Sequence, residues 1–188
     1  MTNPASEIRV EADGAIVTIT IDRDHKRNSL TADVCREIAD AVEAAAEVPE
    51  QRVILLRGEG RAFCAGADLS GQHHEDSFHE QLRRMLRTIE ASRLVVIADV
   101  QGPAVGAGMQ LAMAADLRVV GERGWFMIPP VKLGIAVDAW TIRRVRVLVG
   151  GARARTILLA AERMDQEAAR GCGLASYLGG PDKAEEVA

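Results

Sequence analysis

Two segments of small residues, RAFCAGADLS (61–70) and GPAVGAGMQLA (102–112), restrict the folds open to this chain. Each follows a short apolar run, RVILLRG (52–58) or LVVIADV (94–100), whose length and β-branched residues are typical of a buried strand. Apolar residues at helical spacing follow the first segment, and the second segment leads into a helix starting near Gly106. A unit of strand, small-residue loop and helix is therefore repeated, and this alternation predicts an α/β domain.

Apolar periodicity extends the alternation to other parts of the chain. Apolar residues alternate with threonines over residues 17–21 and predict a strand, and LRVV (117–120) predicts another. Ser29 or Thr31 is the expected N-cap of a first helix, and a further helical stretch begins after residue 139. The first helix is predicted from five apolar residues that share one face: Leu30, Val34, Ile38, Val42 and Ala45.

Composition narrows the class of protein. A chain of 188 residues, 48% hydrophobic and with a formal net charge of −4, suits one soluble globular domain over residues 1–188. Aromatic residues are only 3% and no Lys/Arg block is interleaved with them, which argues against a nucleic-acid surface. No apolar run approaches the roughly 18 residues of a membrane span, and Cys35, Cys64 and Cys172 are widely separated. We therefore expect a cytoplasmic protein with reduced thiols that is not integral to a membrane.

The chemistry of the two small-residue loops depends on whether they meet. A helix N-terminus leaves its first N–H groups without intrahelical partners, and Gly and Ala let a ligand oxygen approach the backbone. One such loop alone is most simply a tight turn. Two N–H groups converging from separate loops would form an oxyanion hole, which stabilises the enolate or tetrahedral oxyanion formed from a carbonyl.

FCAGADL (63–69) together with GPAVGAGMQLAMAADLRVV (102–120) strongly resembles the crotonase family, also called the enoyl-CoA hydratase/isomerase family. Further matching segments are NSL (28–30), LGIAV (133–137) and AARGCGLA (168–175). The resemblance implies a crotonase-like (ClpP/crotonase) α/β spiral of ββα units. It implies a coenzyme A thioester as ligand or substrate with no other cofactor, and a homotrimer or dimer of trimers if the full C-terminal part is present. Because family members usually continue past the GLA segment through several more helices, the C-terminal helical part is expected to be shortened or missing.

The resemblance also assigns site residues. It implies that the N–H groups of Ala67 and Ala107 hold the thioester oxygen. Basic residues at positions 25–27 either lie near the CoA phosphates or form an ordinary solvated turn. The expected substrate-contacting residues are Lys26, Ala65, Gly66, Asp68, Leu69, Gly106, Gln110, Pro130 and Trp140.

The acid–base residues of the family are replaced in this chain. Hydratases carry one glutamate just after the second loop, where this chain has Gln110, and another in a Pro-Glu pair, where it has Pro130. Glutamine cannot exchange a proton near neutral pH, and proline has no usable group. General acid–base catalysis contributes about 10²–10⁴-fold, so hydration is expected to be feeble or absent.

Asp138 is the remaining carboxylate with a family precedent, since some dienoyl-CoA isomerases have a catalytic aspartate at this position. It is either the N-cap of the helix starting near Ala139, a polar lining of the acyl pocket, or a proton shuttle. We expect the cap, and with it a lowered pKa, because a helix N-terminus favours the charged carboxylate.

Other candidates have simpler structural explanations. Asp68 is expected to cap the segment after the first loop, and Cys64 is expected to be a packed small residue, since no histidine is placed to activate it. A second group resembles a metal cluster but is interpreted as a solvated loop with no metal: His73, His74, Glu75, Asp76 and His79. A third group either lines the acyl pocket or packs in the core: Trp125, Phe126, Met127 and Trp140.

Two functions therefore compete. The first is a binding protein for fatty acyl-CoA or enoyl-CoA with little or no hydratase turnover, like the hydratase-like members that lack the glutamate pair. The second is an enzyme, either an active hydratase or an enoyl- or dienoyl-CoA isomerase using Asp138. The replacements Gln110 and Pro130 favour the first.

Overall fold

The computed structural model describes residues 6–69 and 75–188, with the side chains of residues 75 and 76 outside the description. Its strands are β1 (Ile8–Asp13), β2 (Ile16–Ile21), β3 (Val53–Gly58), β4 (Val95–Val100), β5 (Pro103–Val105), β6 (Leu117–Val120), β7 (Trp125–Met127), β8 (Met164–Asp165) and β9 (Tyr177–Leu178). Its helices are α1 (Ala32–Glu47), α2 (Glu75–Ala91), α3 (Ala107–Ala114), α4 (Ala139–Leu159), α5 (Gln166–Gly171) and α6 (Pro181–Val187), and short 3-10 turns cover Asp24–Lys26 and Pro130–Leu133.

The larger sheet has the strand order β1-β2-β3-β4-β6-β9. β1 runs antiparallel to β2, and the other neighbours pair in parallel. Parallel neighbours require crossover connections, and α1 and α2 supply two of them. The predicted strands correspond to β2, β3, β4 and β6, and the α/β prediction is confirmed.

The apolar runs of β3 and β4 reflect burial on both faces of the sheet. Leu56 and Val96 face the main core, together with the apolar faces of α1 and α2. Leu55 and Ile97 face the opposite side, where Ala184 of α6 joins a smaller apolar cluster. The sheet is thus covered by helices on both faces, which holds the carboxyl ends of β3 and β4 and the loops that follow them.

The first helix begins later than its apolar pattern predicts. Thr31 is the N-cap, since its hydroxyl accepts a hydrogen bond from Val34 N at 3.2 Å, and helical backbone starts at Ala32. The assignment of Leu30 to the helical face was therefore wrong. Leu30 instead forms a parallel bridge with Ala67 of the first small-residue loop, and its side chain is fully buried in the main core.

Two further features were not visible in the sequence pattern. A small sheet of order β5-β7-β8 has strands of only two or three residues, too short to show periodicity. The long helical stretch after residue 139 is interrupted at Gly150, whose φ of 78° and ψ of 162° are not helical. α4 is therefore two helical segments joined by a kink.

Candidate functional site

The two small-residue loops lie side by side. Cys64 N donates to Pro103 O at 3.0 Å, and Val105 N donates to Cys64 O at 3.0 Å, which joins the first loop to β5. A Cβ atom built on Gly66 would lie 3.6 Å from Ala107 N, at the start of the second loop's helix. The two loops that carry the predicted donors are therefore in contact.

Both predicted donor N–H groups are without a protein acceptor in the part of the chain that the structure describes. Leu30 N donates to Gly66 O at 2.7 Å and Asp68 N donates to Leu30 O at 2.8 Å, so the N–H of Ala67, between them, points away from Leu30. Ala107 is the first residue of α3, where an N–H has no intrahelical partner. Ala67 is partly exposed and Ala107 is 8% exposed, so a ligand oxygen has to reach into the loops.

Glycines allow this close approach. Gly106 caps α3 with a φ of 55° and a ψ of −118°, a conformation that disfavours a side chain. A Cβ atom on Gly108 would lie 2.1 Å from Cys64 O, so the backbone of α3 packs directly on the first loop. Contacts between backbone atoms thus bring the first loop and α3 together.

The basic turn at positions 25–27 is fastened to the first loop. Ala65 N donates to Arg27 O at 3.0 Å, and Lys26 is exposed beside this bond. The buried Asn28 side chain donates to Glu59 O at 2.8 Å and to Ala62 O at 2.7 Å. In the sequence, Asn28 stands out only as part of the NSL motif. Its φ of 56°, a conformation in which asparagine is enriched, is the signal that it shapes the turn.

Asp68 and Leu69 close the first loop. The Asp68 carboxylate lies 3.1 Å from the guanidinium of Arg23, a side chain that also pairs with Glu7. Arg23 is 5% exposed and also donates to the carbonyl of Ser29, so this ion pair anchors the loop to the turn after β2. Leu69 is 82% exposed.

Gln110 lies on α3, three residues after Ala107, and its amide contacts α4. Gln110 Nε2 donates to Asp138 Oδ2 at 3.1 Å and to Thr141 Oγ1 at 2.5 Å. Thr141 Oγ1 in turn donates to Asp138 Oδ2 at 2.6 Å. Thr141 is fully buried and had no role in the sequence analysis, because its neighbours come from a helix more than twenty residues away in the chain.

Asp138 is the N-cap of α4, and that prediction is confirmed. Its Oδ1 accepts from Trp140 N at 2.8 Å and from Thr141 N at 3.1 Å. Burial pushes the pKa of Asp138 upward, but hydrogen bonds from the Thr141 hydroxyl and from the N–H groups of Thr141 and Trp140 outweigh it. The pKa is therefore held below its ordinary value, as expected for a cap.

Pro130 is buried at the start of its 3-10 turn and lines a cavity of about 690 Å³. Most of the lining is apolar and comes from residues 130–137 and from both segments of α4: Pro130, Val131, Ile135, Ala136, Val137, Ile142, Arg146, Gly151, Ala154, Arg155, Leu158 and Leu159. The cavity thus borders the stretch that leads into Asp138.

The aromatic candidates lie away from this cavity. Trp140 donates its indole N–H to Glu90 at 2.8 Å, between α4 and α2. Phe126 is fully buried in the main core, and the guanidinium of Arg163 stacks 4.5 Å from the ring centre of Trp125. Core packing and surface contacts therefore account for their positions.

Of the remaining candidates, Cys64 lies in the core and several others lie outside the residues that the structure describes. Cys64 is buried, and burial raises the pKa of its thiol to about 12, so the packed-residue interpretation is confirmed. His73 and His74 lie outside the described residues, as do the side chains of Glu75 and Asp76. Across residues 6–69 and 75–188, no group of three or more His, Cys, Asp or Glu residues is arranged to hold a metal ion. Within the same two ranges, none of the helices has the length and apolar character needed to cross a bilayer.

Comparison with known proteins supports the family resemblance that the two motifs carry. Residues 11–184 match the family model described as enoyl-CoA hydratase/isomerase. A probable enoyl-CoA hydratase, echA6, of Mycobacterium tuberculosis is 42% identical over 165 residues, which cover 88% of this chain and 68% of that protein. A peroxisomal Δ(3,5)-Δ(2,4)-dienoyl-CoA isomerase of Arabidopsis thaliana is 32% identical over 190 residues, covering 92% and 68%.

A solved structure extends the similarity to three dimensions. The crystal structure of an enoyl-CoA hydratase from Mycobacterium avium subsp. paratuberculosis superposes with a TM-score of 0.88 at 34% identity, covering 98% of this chain and 72% of that one. The expected crotonase-like fold is thus confirmed. With a family match over most of its length and relatives above 30% identity, the chain belongs to the enoyl-CoA hydratase/isomerase family.

Proposed function

We propose that this chain binds acyl-CoA or enoyl-CoA thioesters by holding the carbonyl oxygen between the N–H groups of Ala67 and Ala107. The observation that supports this most is the placement of two N–H groups without a protein acceptor, among the described residues, on loops that touch. The positive end of the α3 dipole adds to the attraction for an oxygen that gains negative charge. The proposal needs no cofactor besides the CoA ester itself.

The rest of the ligand would extend in two directions. Exposed Lys26, on the turn bonded to Ala65, is suited to the CoA phosphates, since an ammonium group pairs with phosphate as a point charge. The apolar cavity beside Pro130 is suited to part of an acyl chain, because burial of each methylene group contributes about 0.8 kcal/mol.

Hydration is proposed to be slow. Gln110 and Pro130 stand where a hydratase carries glutamates, and Asp138 accepts hydrogen bonds from three donors besides Gln110. A carboxylate with a lowered pKa is a weak base, so it is poorly suited to remove the proton alpha to a thioester. Thioester binding with little turnover therefore fits these side chains better than hydratase chemistry.

The alternative is an isomerase that uses Asp138, and the match to the dienoyl-CoA isomerase of Arabidopsis thaliana favours it. It predicts measurable double-bond isomerisation of a 3-enoyl-CoA or dienoyl-CoA. Turnover abolished by Asp138→Asn, with butyryl-CoA still bound, would establish this alternative.

Isothermal calorimetry with butyryl-CoA, run beside a crotonyl-CoA hydration assay, tests the proposal. Ala107→Val adds a branched side chain at the thioester site and should weaken butyryl-CoA binding about tenfold, the cost of about 1.4 kcal/mol. Ala107→Gly keeps the N–H donor, and its effect should be mild. Equal affinities for the wild type and the Val variant would contradict the assignment of Ala107, and rapid hydration would contradict the binding-protein proposal.

A homotrimer or dimer of trimers and a cytoplasmic location are further proposals from the family resemblance. Sedimentation analysis of the purified chain tests the first of them.

A further inference from the structure

A chain of three hydrogen-bonded side chains connects the start of α4 to α3. Asp138 Oδ2 accepts from Thr141 Oγ1 at 2.6 Å and from Gln110 Nε2 at 3.1 Å, and Gln110 Nε2 also donates to Thr141 Oγ1 at 2.5 Å. Thr141 is fully buried and Gln110 is 9% exposed, whereas Asp138 is exposed, so the bond between Gln110 and Thr141 is the one shielded from water. The geometry ties the orientation of an amide on α3 to a carboxylate at the start of α4.

The direction of every bond follows from the charge of Asp138. An ionised carboxylate can only accept, and the pKa of Asp138 is below its ordinary value. The single proton of the Thr141 hydroxyl therefore goes to Asp138, which leaves the hydroxyl oxygen as an acceptor toward Gln110. Both neighbours of the Gln110 amide then require donors, and only its NH₂ group supplies them.

The amide oxygen of Gln110, Oε1, consequently points away from Asp138 and Thr141. Within the described residues no donor contacts Oε1, and this atom is not among the buried polar atoms without a partner, so it is accessible. Gln110 lies three residues after Ala107 on α3, and residues at this spacing share a helix face, with Cβ atoms about 5–6 Å apart. A ligand whose carbonyl oxygen is held by the N–H of Ala107 would therefore place the first carbons of its acyl chain beside the Gln110 side chain.

We propose that Asp138, acting through Thr141, is a positioning residue that turns the Gln110 amide so that its oxygen faces the thioester site and selects acyl groups with a hydrogen-bond donor on carbon 3. This inference rests on the proposed thioester site. It assigns Thr141 a function and makes Asp138 a determinant of specificity as well as a helix cap.

Asp138→Asn should reverse the direction of the hydrogen bonds that link residue 138, Thr141 and Gln110, with little change in side-chain shape. The Asn Oδ1 atom can still cap α4, while Nδ2 replaces the accepting Oδ2 with a donor. Nδ2 then donates to the Thr141 hydroxyl, that hydroxyl donates to Gln110 Oε1, and the NH₂ group of Gln110 turns toward the site. A purely structural role for Asp138 would leave ligand preference unchanged.

Three probes that differ only at carbon 3 test the proposal by calorimetry. Butyryl-CoA carries CH₂ there, 3-hydroxybutyryl-CoA carries a hydroxyl that donates and accepts, and the keto form of acetoacetyl-CoA carries a carbonyl that only accepts. The wild type should bind 3-hydroxybutyryl-CoA about 3- to 10-fold more tightly than acetoacetyl-CoA, as one hydrogen bond allows. Asp138→Asn should strengthen acetoacetyl-CoA binding and so remove this preference, because a hydroxyl and a carbonyl can both accept from the NH₂ group. Thr141→Ser should keep the preference, and Gln110→Leu should abolish it without strengthening acetoacetyl-CoA binding.

The outcomes separate the two proposals. If none of the three esters binds, the proposed thioester site is wrong and this inference is overturned with it. If all three bind the wild type equally, the thioester site is retained and the inference is overturned. A wild-type preference that survives unchanged in Asp138→Asn overturns the role of Asp138. Because the comparison of the three esters on the wild type needs no variant, the inference can be overturned even if a variant fails to fold.

Discussion

Gly108→Ala tests whether direct packing of α3 on the first loop holds the two loops together. Alanine is the better helix former, and in a helix it is favoured over glycine by about 0.5–1 kcal/mol. The added Cβ atom, however, would lie 2.1 Å from Cys64 O and 2.8 Å from Cys64 C. A carbon–oxygen contact needs about 3.3 Å, so the two backbone segments must separate by roughly 1 Å.

The separation is costly because both partners are backbone. Cys64 O already accepts a hydrogen bond from Val105 N at 3.0 Å, and a flexible side chain is not available to move instead. Overpacking of this kind costs about 1–3 kcal/mol, which outweighs the gain in helix propensity. We expect the free energy of unfolding to fall by roughly 1–2 kcal/mol and butyryl-CoA to bind at least several-fold more weakly.

Denaturant unfolding and calorimetry with butyryl-CoA measure the two effects. Gly171→Ala is the matched control, since the same methyl group placed there, at the end of α5, has no heavy atom within 4 Å. Its stability should stay within about 0.5 kcal/mol of the wild type. A Gly108→Ala protein that is as stable as the wild type and binds butyryl-CoA equally well would refute the packing argument.

Two further predictions concern the carboxylates. The double variant Gln110→Glu, Pro130→Glu should gain crotonyl-CoA hydration beyond either single change, measured by loss of the enoyl absorbance. The glutamate introduced at position 110 would face Asp138, so the pKa of that glutamate should be raised. No gain in a folded, ligand-binding double variant would show that the pocket no longer positions water. Asp138→Ala should cost about 1 kcal/mol through loss of the helix cap. Because the folded pKa of Asp138 is lowered, its contribution to stability is present above the unfolded pKa of about 3.9 and is lost as pH falls through the folded pKa. Unfolding curves of the wild type and Asp138→Ala should therefore converge in acid, and a constant difference at all pH values would contradict the linkage.

Local sequence patterns were sufficient to predict several features of the fold and of the site. Period-2 alternation located β2, and continuous apolar runs located β3 and β4, because side chains buried on both faces must be apolar along the whole strand. The cap at Asp138 was predictable because a cap acts on N–H groups two and three residues away in the same segment. The family was indicated by the resemblance of the two small-residue motifs, taken together and in order, to those of the crotonase family.

Other features depend on residues far apart in the chain, and no local pattern carries them. Leu30 has helical spacing with Val34, yet its bridge to Ala67 places it before the helix. The three strands of the small sheet are too short to show a period and exist only because each pairs with the next. Long-range pairing can thus override local propensity or act where local propensity is weak.

The same distinction applies to the chemistry of the site. The sequence by itself determined that Gln110 and Pro130 cannot exchange protons, since that is a property of the residue types. Only the tertiary structure decided that the Gln110 amide meets Thr141 and Asp138, because these contacts span about thirty residues of chain. The approach of the two loops is likewise a tertiary fact, set by the contact of Gly108 with Cys64 O. Residue identity limits which chemistry is possible, whereas the packing of separate elements decides which groups are close enough to act together.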